Sequence, residues 1–479
     1  MQRKIKLPEG VNKVYLIGIG GIGMSAIAKI LNSLKCSVQG SEAKRSHLTQ
    51  DMENDGIKVF YEHVASNIAG VDLVVRSTAI IDQNPEVVAA KSAGIPVISR
   101  ADMLAMIVKN YYSIAVSGTH GKTTTTALIG NMLVEAGQTP LIVNGGIMNG
   151  FASNVVQGGG DIAVFEADES DGSFLKTAAQ IKVVTNIDKE HLDYHGGFDN
   201  LKAAYKEFIV SVPSDGFAVL CHDNENLKEI SYSLNNANII SYGIGEGEFD
   251  LSASSINVLE TGSAFDVSLS ERFSKICSMK AGVMISDLKL SVLGEHNVQN
   301  CLAVIAVGLI LKIPIEIIRK AIASFKGVQR RFTEVADLSG LKIIDDYAHH
   351  PEEIQATLKL ARKIADIRGG RLYVIFQPHK YSRLRALFDE FLISFDYADH
   401  VLISDVYSAD EPYDEIFNTK KLIESLKIRL ETRVEYLDKH ENLPYIIERL
   451  CSYGDLVVFL GAGDITSWAR SLPAKLSSL

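Results

Sequence analysis

Three times along the chain a continuous apolar run passes through a turn rich in Gly, Asp or His and into a segment whose apolar residues recur at helical spacing. The first is KVYLIGIGGIGMSAIAKILNSL (13–34), where Ile27, Ile30, Leu31 and Leu34 share one helix face. The second is YSIAVSGTHGKTTTTALIGNMLVEAG (112–137), whose helix carries Leu128, Met132 and Leu133 and ends near Gly137, a C-terminal cap. The third is LKIIDDYAHHPEEIQATLKLARKI (341–364), with Pro351 where a first helical turn tolerates it. Each predicts a strand, loop and helix of a parallel sheet. Further short strands are predicted at 71–77, 161–167, 182–187, 217–221, 371–376, 400–406 and 455–461. Most are unbroken apolar runs, as in sheets covered by helices on both faces. The stretch 249–292 alternates instead and lacks helical periodicity, which predicts an antiparallel patch.

At 479 residues the chain exceeds one core, since single cores stop growing at roughly 250 to 300 residues. Boundaries near 109 and 326 give three domains, 1–109, 110–326 and 327–479. The formal net charge of -10 argues against a nucleic-acid partner, because phosphate backbones need clustered Lys and Arg. A local phosphate pocket needs only a few donors and stays open. The five cysteines are scattered with no C-x-x-C pair, which fits a reducing cytoplasm. The N-terminal apolar run enters a glycine loop with no small-residue cleavage site, so no signal peptide is expected. The longest apolar stretch, 301–318, is broken by Lys312 and Pro314, so no membrane insertion is expected either. No obligate protein partner is inferred.

The strongest chemical signal is SGTHGKTTTT (117–126), between a strand and a helix. Gly118 and Gly121 let backbone amides turn inward around a phosphate, with Thr119 and His120 between them. Lys122 brings a positive charge, and Thr123, followed by Thr124, offers a hydroxyl to Mg2+ at a helix N-terminus. This predicts an ATP loop, although Val116 stands where the usual pattern has its first glycine. The earlier LIGIGGIGM (16–24) spaces Gly18, Gly20 and Gly23 as G-x-G-x-x-G. With Glu42 some twenty residues on, it suits either a dinucleotide or another phosphate ligand carrying a ribose.

Acidic residues follow two predicted strands: Glu166, Asp168, Glu169 and Asp171, then Asp188, His191 and Asp193. Taken singly, each segment equally suits a solvated loop; their common place beside the phosphate loop favours a Mg2+ site. In LGEHNVQNC (293–301), Asn297 and Asn300 suit either an adenine edge or a helix cap. GVQRRF (327–332) pairs two guanidiniums suited to phosphate. Asp345 and Asp346 end a strand, and His349, His379, Lys380 and Arg383 gather at strand ends of the last domain. Such basic clusters would recognise a carboxylate-bearing acceptor.

Together these segments resemble the Mur ligase family. The resemblance rests on GIGGIGMS, GSE and RSTAI in the first domain, GTHGKTTTT, EADESD, TNIDKEHLDYH and GEHNVQN in the second, and RRF, DDYAHHPEE and QPHKYSR in the third. It implies an α/β fold with a Rossmann-like N-terminal domain, a central P-loop ATPase-type parallel sheet with a small antiparallel patch, and a Rossmann-like C-terminal domain. It implies a cytoplasmic ligase that uses ATP and Mg2+ to join L-alanine to UDP-N-acetylmuramate through an acyl phosphate, in peptidoglycan precursor synthesis. Gly20, Gly21, Ile22 and Gly23 would meet the UDP pyrophosphate, with Ser41, His63, Ser77 and Thr78 nearby. Lys122 would stabilise the transferring phosphate, and Thr123, Glu166 and His191 would serve the metal. Asn297 would read adenine, Arg331 would touch ATP phosphates and Asp346 would lie near the ribose. Tyr347, His349, Lys380 and Arg383 would shape the amino-acid pocket, His349 orienting or deprotonating the amine.

Two departures stand out. Related ligases often carry Arg where this chain has Lys380, and Lys cannot form a bidentate fork. Siblings use a carbamylated lysine about fifteen residues after the metal-binding histidine; Lys206 has that spacing, but the AAY before it suggests that Tyr205 aligns, and carbamylation is not assigned. The alternatives are ligation of a tripeptide to the same nucleotide sugar and, from another class, a nicotinamide-dependent dehydrogenase.

Overall fold

In the computed structural model, which describes residues 7–190, 192–234, 238–259, 261–409, 411–430 and 433–478, three sheets carry the strands. The first sheet comprises β1 (Lys13–Ile17), β2 (Ser37–Ser41), β3 (Lys58–Phe60), β4 (Leu73–Arg76) and β5 (Val97–Ser99), all parallel, in the order β3-β2-β1-β4-β5. The order reverses direction beside β1, and in open parallel sheets ligands bind at the carboxyl ends of strands at such a switch point. Residues 14–17 of β1 are wholly buried, Tyr15 and Ile17 packing with Ile68, Val71, Val74, Val87 and Ala90, and the helix Ile22–Ser33 buries Met24, Ile27, Ile30 and Leu31.

The second sheet has ten strands: β6 (Tyr112–Ser117), β7 (Leu141–Met148), β8 (Ser153–Gln157), β9 (Ile162–Glu166), β10 (Ile181–Val184), β11 (Phe217–Cys221), β12 (Ile239–Ile244), β13 (Leu251–Leu259), β14 (Gly262–Leu269) and β15 (Met284–Leu290). Their order is β15-β14-β13-β12-β11-β10-β6-β9-β7-β8, parallel from β12 to β7. The helix Lys122–Glu135 is buried almost all round, with Thr123 to Thr126 inside as well as Leu128, Met132 and Leu133. It packs against the sheet and against the helices Glu295–Ile310 and Ile315–Ala323. An all-round buried helix shows no amphipathic stripe, which is why only its apolar positions were readable.

The alternating stretch 249–292 forms the antiparallel strands β13, β14 and β15, which extend the edge of this sheet. It also holds a helix, Glu271–Ile276, started by Ser270, whose hydroxyl accepts from the Phe273 N–H. Six residues make under two turns, too few to show a helical period, so the expectation of no helix here is corrected. The apolar run 301–318 is divided between two helices at Pro314, and among the described residues no helix is long and apolar enough to cross a membrane.

The third sheet runs β16 (Thr333–Leu338), β17 (Leu341–Asp346), β18 (Leu372–Phe376), β19 (His400–Ile403), β20 (Val434–Tyr436) and β21 (Leu456–Leu460), in the order β16-β17-β21-β18-β19-β20. All neighbours are parallel except β16 with β17. One face packs Ile343, Tyr373, Ile375, Val457 and Phe459 against Ile465, Ala469 and Leu472 of the helix Ile465–Leu476. The chain divides into two compact units, Met1–Gly327 with the first two sheets and Val328–Leu479 with the third.

Candidate functional site

The loop after β6 is held open by its neighbours. Gly121 has φ 82, and a Cβ there would lie 2.5 Å from Oδ1 of Asn300, so both backbone and packing demand glycine. The His120 N–H donates to Asn186 Oδ1 (2.7 Å), and the His120 carbonyl accepts from the Thr185 hydroxyl (2.5 Å) and Asn186 Nδ2 (3.1 Å). The Thr119 hydroxyl accepts from the Asp188 N–H (2.9 Å). These bonds fix the loop to the segment after β10, the parallel neighbour of β6.

Lys122 Nζ donates to the carbonyls of Gly118 (2.5 Å) and Thr119 (3.0 Å) and to Glu169 Oε1 (2.9 Å). Burial pulls this ammonium down, but Glu169, Glu166 and Asp168 outweigh that and hold it above its ordinary value. Glu169 is pushed up to about 7 by burial, against the pull of Lys122 and with the repulsion of Asp168. Lys122 is therefore charged and held by Glu169 and two loop carbonyls.

The Thr123 hydroxyl donates to Glu166 Oε2 (2.9 Å), which also accepts from the Gly145 N–H (2.9 Å). A Cβ on Gly145 would meet that carboxylate at 2.3 Å, so the glycine inside β7 is what lets Glu166 lie against the strand. A hydroxyl in the first turn of a helix and a carboxylate at the end of β9 form an oxygen donor set that fits a hard divalent cation. His191 and the side chain of Asp193 lie outside the described residues. Lys206 is exposed, whereas Tyr205 is buried, its hydroxyl pushed up by burial and by the Glu169 charge. The inward residue of that pair is the tyrosine.

Asn297 lies in the first turn of the helix Glu295–Ile310, largely buried. Its Nδ2 donates to the Leu293 carbonyl (2.6 Å) and its Oδ1 accepts from Asn300 Nδ2 (3.1 Å). Both ends of the amide are engaged inside the protein.

In the first sheet Gly20, Gly21, Ile22 and Gly23 lead from β1 into the helix Ile22–Ser33, and a helix N-terminus suits an anion, although the Gly21 N–H donates to the Gly18 carbonyl (3.3 Å). Glu42, considered for a ribose, is instead committed to backbone: its oxygens accept from the N–H groups of Gly20 (2.8 Å) and Ala43 (2.9 Å). Ser77 and Thr78 lie in the turn after β4, where the Ser77 N–H donates to the Ile17 carbonyl (3.1 Å). Ser41 is wholly buried at the end of β2, and His63, just past β3, is partly exposed. Both meet Glu86, a fully buried carboxylate that the sequence reading passed over. Arg100, also passed over, lies against Gly23 and reaches Asp168 (3.3 Å) and Asp171 (3.8 Å), joining the first glycine loop to the acidic loop.

In the second unit the structure brings Tyr347, His349, His379 and Arg383 together. Ring centroids lie 5.0 Å apart for Tyr347 and His349 and 5.8 Å apart for His349 and His379. His349 Nδ1 lies 2.9 Å from the Tyr347 carbonyl, which can only accept, so Nδ1 carries hydrogen. Arg383 Nη1 lies 3.3 Å from His379 Nδ1, and guanidinium only donates, which places the His379 proton on Nε2. Burial, with His349, Arg383 and Lys380 nearby, lowers His379 to about 4, so the ring is neutral near pH 7. It stacks on Tyr407 at 5.5 Å. Lys380 caps the helix Tyr381–Ala386 with φ 69, its N–H bonded to the Tyr407 carbonyl (2.9 Å).

The two arginines of the RRF segment differ. Arg330 donates to the carbonyls of Gly461 (2.6 Å) and Gly463 (3.2 Å) and lies 4.6 Å from the Tyr347 ring. Arg331 lies 5.5 Å from the same ring and 3.9 Å from Glu353, and stays partly exposed. Asp346 is buried and pushed up to about 6 by that burial, against the pull of Arg331. Its oxygens accept from the N–H groups of Phe332 (2.6 Å) and Ala348 (2.7 Å). The carboxylate is an internal anchor of the strand end.

Three family models match consecutive segments: the Mur ligase family catalytic domain over 13–112, the Mur ligase middle domain over 116–308, and the Mur ligase glutamate ligase domain over 330–463. Among curated relatives, the UDP-N-acetylmuramate–L-alanine ligase of Agrobacterium fabrum is 42% identical over 476 residues, 99% of each chain. That of Rickettsia bellii is 41% identical over 475 residues, 99% of this chain and 98% of the relative. Among solved structures, the UDP-N-acetylmuramate-alanine ligase of Thermotoga maritima aligns with a TM-score of 0.82 at 29% identity, covering 97% of this chain and 99% of that one. A murein peptide ligase from Psychrobacter arcticus shares the fold, with a TM-score of 0.70 at 22% identity over 98% of this chain and 99% of that one.

Proposed function

The chain belongs to the Mur ligase family, and we infer that it joins L-alanine to the carboxylate of UDP-N-acetylmuramate with hydrolysis of ATP to ADP and phosphate. The observation that carries this reading is the 41–42% identity, over 99% of this chain, to ligases of that name. The murein peptide ligase, at 22% identity, supports the fold and gives the tripeptide alternative no further weight. A nicotinamide-dependent dehydrogenase leaves the Lys122 loop and its acidic neighbours without a use.

A carboxylate is a poor acyl donor. The muramoyl carboxylate oxygen attacks the γ-phosphorus of ATP, the bond to the β-phosphate oxygen breaks, and an acyl phosphate and ADP result. Lys122 exchanges Glu169 and the loop carbonyls for the transferring phosphoryl group, offsetting the charge that repels this attack. Bound Mg2+ supplies further neutralisation of phosphate charge; Thr123 and Glu166, and by family resemblance His191, would hold it. Gly20, Gly21, Ile22 and Gly23 take the UDP pyrophosphate at a helix N-terminus. Tyr347, His349, Lys380 and Arg383 take the amino acid. The alanine nitrogen attacks the acyl carbon, phosphate leaves with the electron pair of its C–O bond, and the amine proton passes to His349 Nε2. The use of ATP supports a reaction in the cytoplasm.

The test is phosphate release from ATP with Mg2+ and UDP-N-acetylmuramate, comparing L-alanine, glycine, L-serine and a tripeptide. Release greatest with L-alanine is expected, with glycine behind it by roughly 10- to 200-fold, the worth of one methyl in a pocket, and serine, which adds a hydroxyl, by roughly 100-fold. Release with the tripeptide alone overturns the acceptor assignment.

A further inference from the structure

Beneath the first sheet's ligand edge lies a carboxylate whose hydrogen bonds are all accounted for. Glu86, fully buried in the first turn of the helix Pro85–Ser92, accepts from Tyr15 Oη (2.6 Å) and Asn67 Nδ2 (2.8 Å) on Oε1. On Oε2 it accepts from Ser41 Oγ (2.6 Å) and His63 Nδ1 (2.9 Å). Four donors fill the four lone-pair directions of a carboxylate. Tyr15 and Ser41 are wholly buried and the Glu86 side chain is 0% exposed, while His63 keeps 23%. The network therefore reaches the surface at an imidazole, His63, and at the partly buried Asn67.

The proton on that imidazole is fixed. Ser41 Oγ also lies 3.1 Å from His63 Nδ1. Having given its one hydrogen to Glu86, Ser41 can only accept there. Two acceptors face Nδ1, so Nδ1 carries hydrogen and Nε2 is the ring's outward atom. The other end of Ser41 holds the glycine loop, its carbonyl accepting from the N–H groups of Gly18 (2.9 Å) and Ile19 (3.0 Å). One short strand end thus ties the loop that faces the anion to the histidine beside it.

We propose that Glu86 is a positioning residue for nucleotide-sugar binding, fixing the His63 ring with Nδ1–H inward and Nε2 toward the ligand of the first glycine loop. The proposal rests on the reading that the first sheet takes the UDP-sugar. A partner behind a ligand-binding imidazole sets its tautomer and orientation, and its loss typically costs tenfold or more. In Glu86→Gln one carboxylate oxygen becomes an NH2 group, so one of the two donor pairs, Tyr15 with Asn67 or Ser41 with His63, meets hydrogens where it needs an acceptor.

The experiment is calorimetric titration of the full chain with UDP-N-acetylmuramate in wild type, E86Q, H63A and the double variant, with KM for ATP measured alongside. E86Q is expected to weaken nucleotide-sugar binding about tenfold while KM for ATP stays within about twofold, and the double variant to bind no worse than H63A. The nitrogen chemical shifts of the His63 ring, identified by their absence in H63A, should report an Nδ1–H tautomer in wild type that is lost in E86Q. Unchanged binding in E86Q, or penalties that add in the double variant, overturn the role of Glu86. Wild type that does not bind UDP-N-acetylmuramate overturns the functional reading itself. Should E86Q fail to fold, Ser41→Ala keeps the carboxylate and removes one acceptor at Nδ1. A smaller loss of binding in the same direction supports the proposal, and none overturns it.

Discussion

The two glycine loops of the first unit begin alike and end differently. Both follow the carboxyl end of a buried parallel strand and lead into a helix of at least twelve residues, Ile22–Ser33 in one and Lys122–Glu135 in the other. In the second loop a lysine is the first residue of the helix, buried among Glu166, Asp168 and Glu169. In the first loop that place belongs to Ile22, and a carboxylate, Glu42, is bonded to the loop's own Gly20 N–H. Under the proposed function, one site concentrates charge for phosphoryl transfer, and the other offers backbone donors and a helix terminus to an anion that stays intact. On that reading the same local fold serves catalysis in one case and binding in the other, and the first helical residue is where they differ.

The sharpest way to break this comparison is Lys122→Ala. Loss of a preorganised charge at the transferring phosphoryl group costs on the order of a hundredfold to a thousandfold in turnover. The fold is expected to survive, because Glu169, already pushed up to about 7, can take a proton once its partner is gone. Phosphate release at saturating substrates, together with the thermal unfolding midpoint, checks both halves. Parent-rate turnover would make the two loops equivalent and the distinction empty.

Gly121→Ala comes next, acting on the loop's shape while leaving its charge. With φ 82, alanine costs about 1 kcal/mol in backbone energy, and its Cβ would press on Asn300 Oδ1 at 2.5 Å. The kcat/KM for ATP should fall roughly tenfold through a raised KM, with binding of the nucleotide sugar unchanged. Steady-state kinetics varied in each substrate separates the two. An equal rise in both Michaelis constants would mean that the loop shapes more than the ATP site.

How much of this was readable in the chain follows from how local each signal is. The three strand, loop and helix units, and Lys122 with Thr123, stand within a few residues of one another, so period and spacing display them. Glu86 takes its donors from residues 15, 41, 63 and 67, and Arg100 reaches residues 168 and 171. Such partners meet only once the sheets form. Gly145 hid in NGG inside β7, a sequence that reads as a turn; its use comes from a carboxylate twenty-one residues on. Asn297 and Asp346 carried the right chemistry for a ligand, but their hydrogen bonds point into the protein. Residue type showed in the sequence; direction required the fold. The strands β3, β5 and β20, of three residues each, are too short for any period to appear.

Gly21→Ala carries the smallest expected effect and separates ligand from fold most cleanly. Unlike Gly121, Gly21 has φ -65, which any residue adopts, and an added Cβ would meet only the Gly18 carbonyl, at 3.6 Å, an ordinary contact. The variant should therefore melt with the parent, and its ATP kinetics should not move. If the UDP pyrophosphate lies against this helix terminus, the methyl stands where the ligand approaches the backbone, and affinity for UDP-N-acetylmuramate should fall by about threefold to tenfold, roughly 0.7–1.4 kcal/mol. Calorimetry on the two proteins decides it. A fall in affinity with no change in melting assigns the first loop to the nucleotide sugar on evidence independent of any catalytic residue, whereas equal affinity moves the pyrophosphate away from Gly21 and leaves the two loops alike only in their backbone.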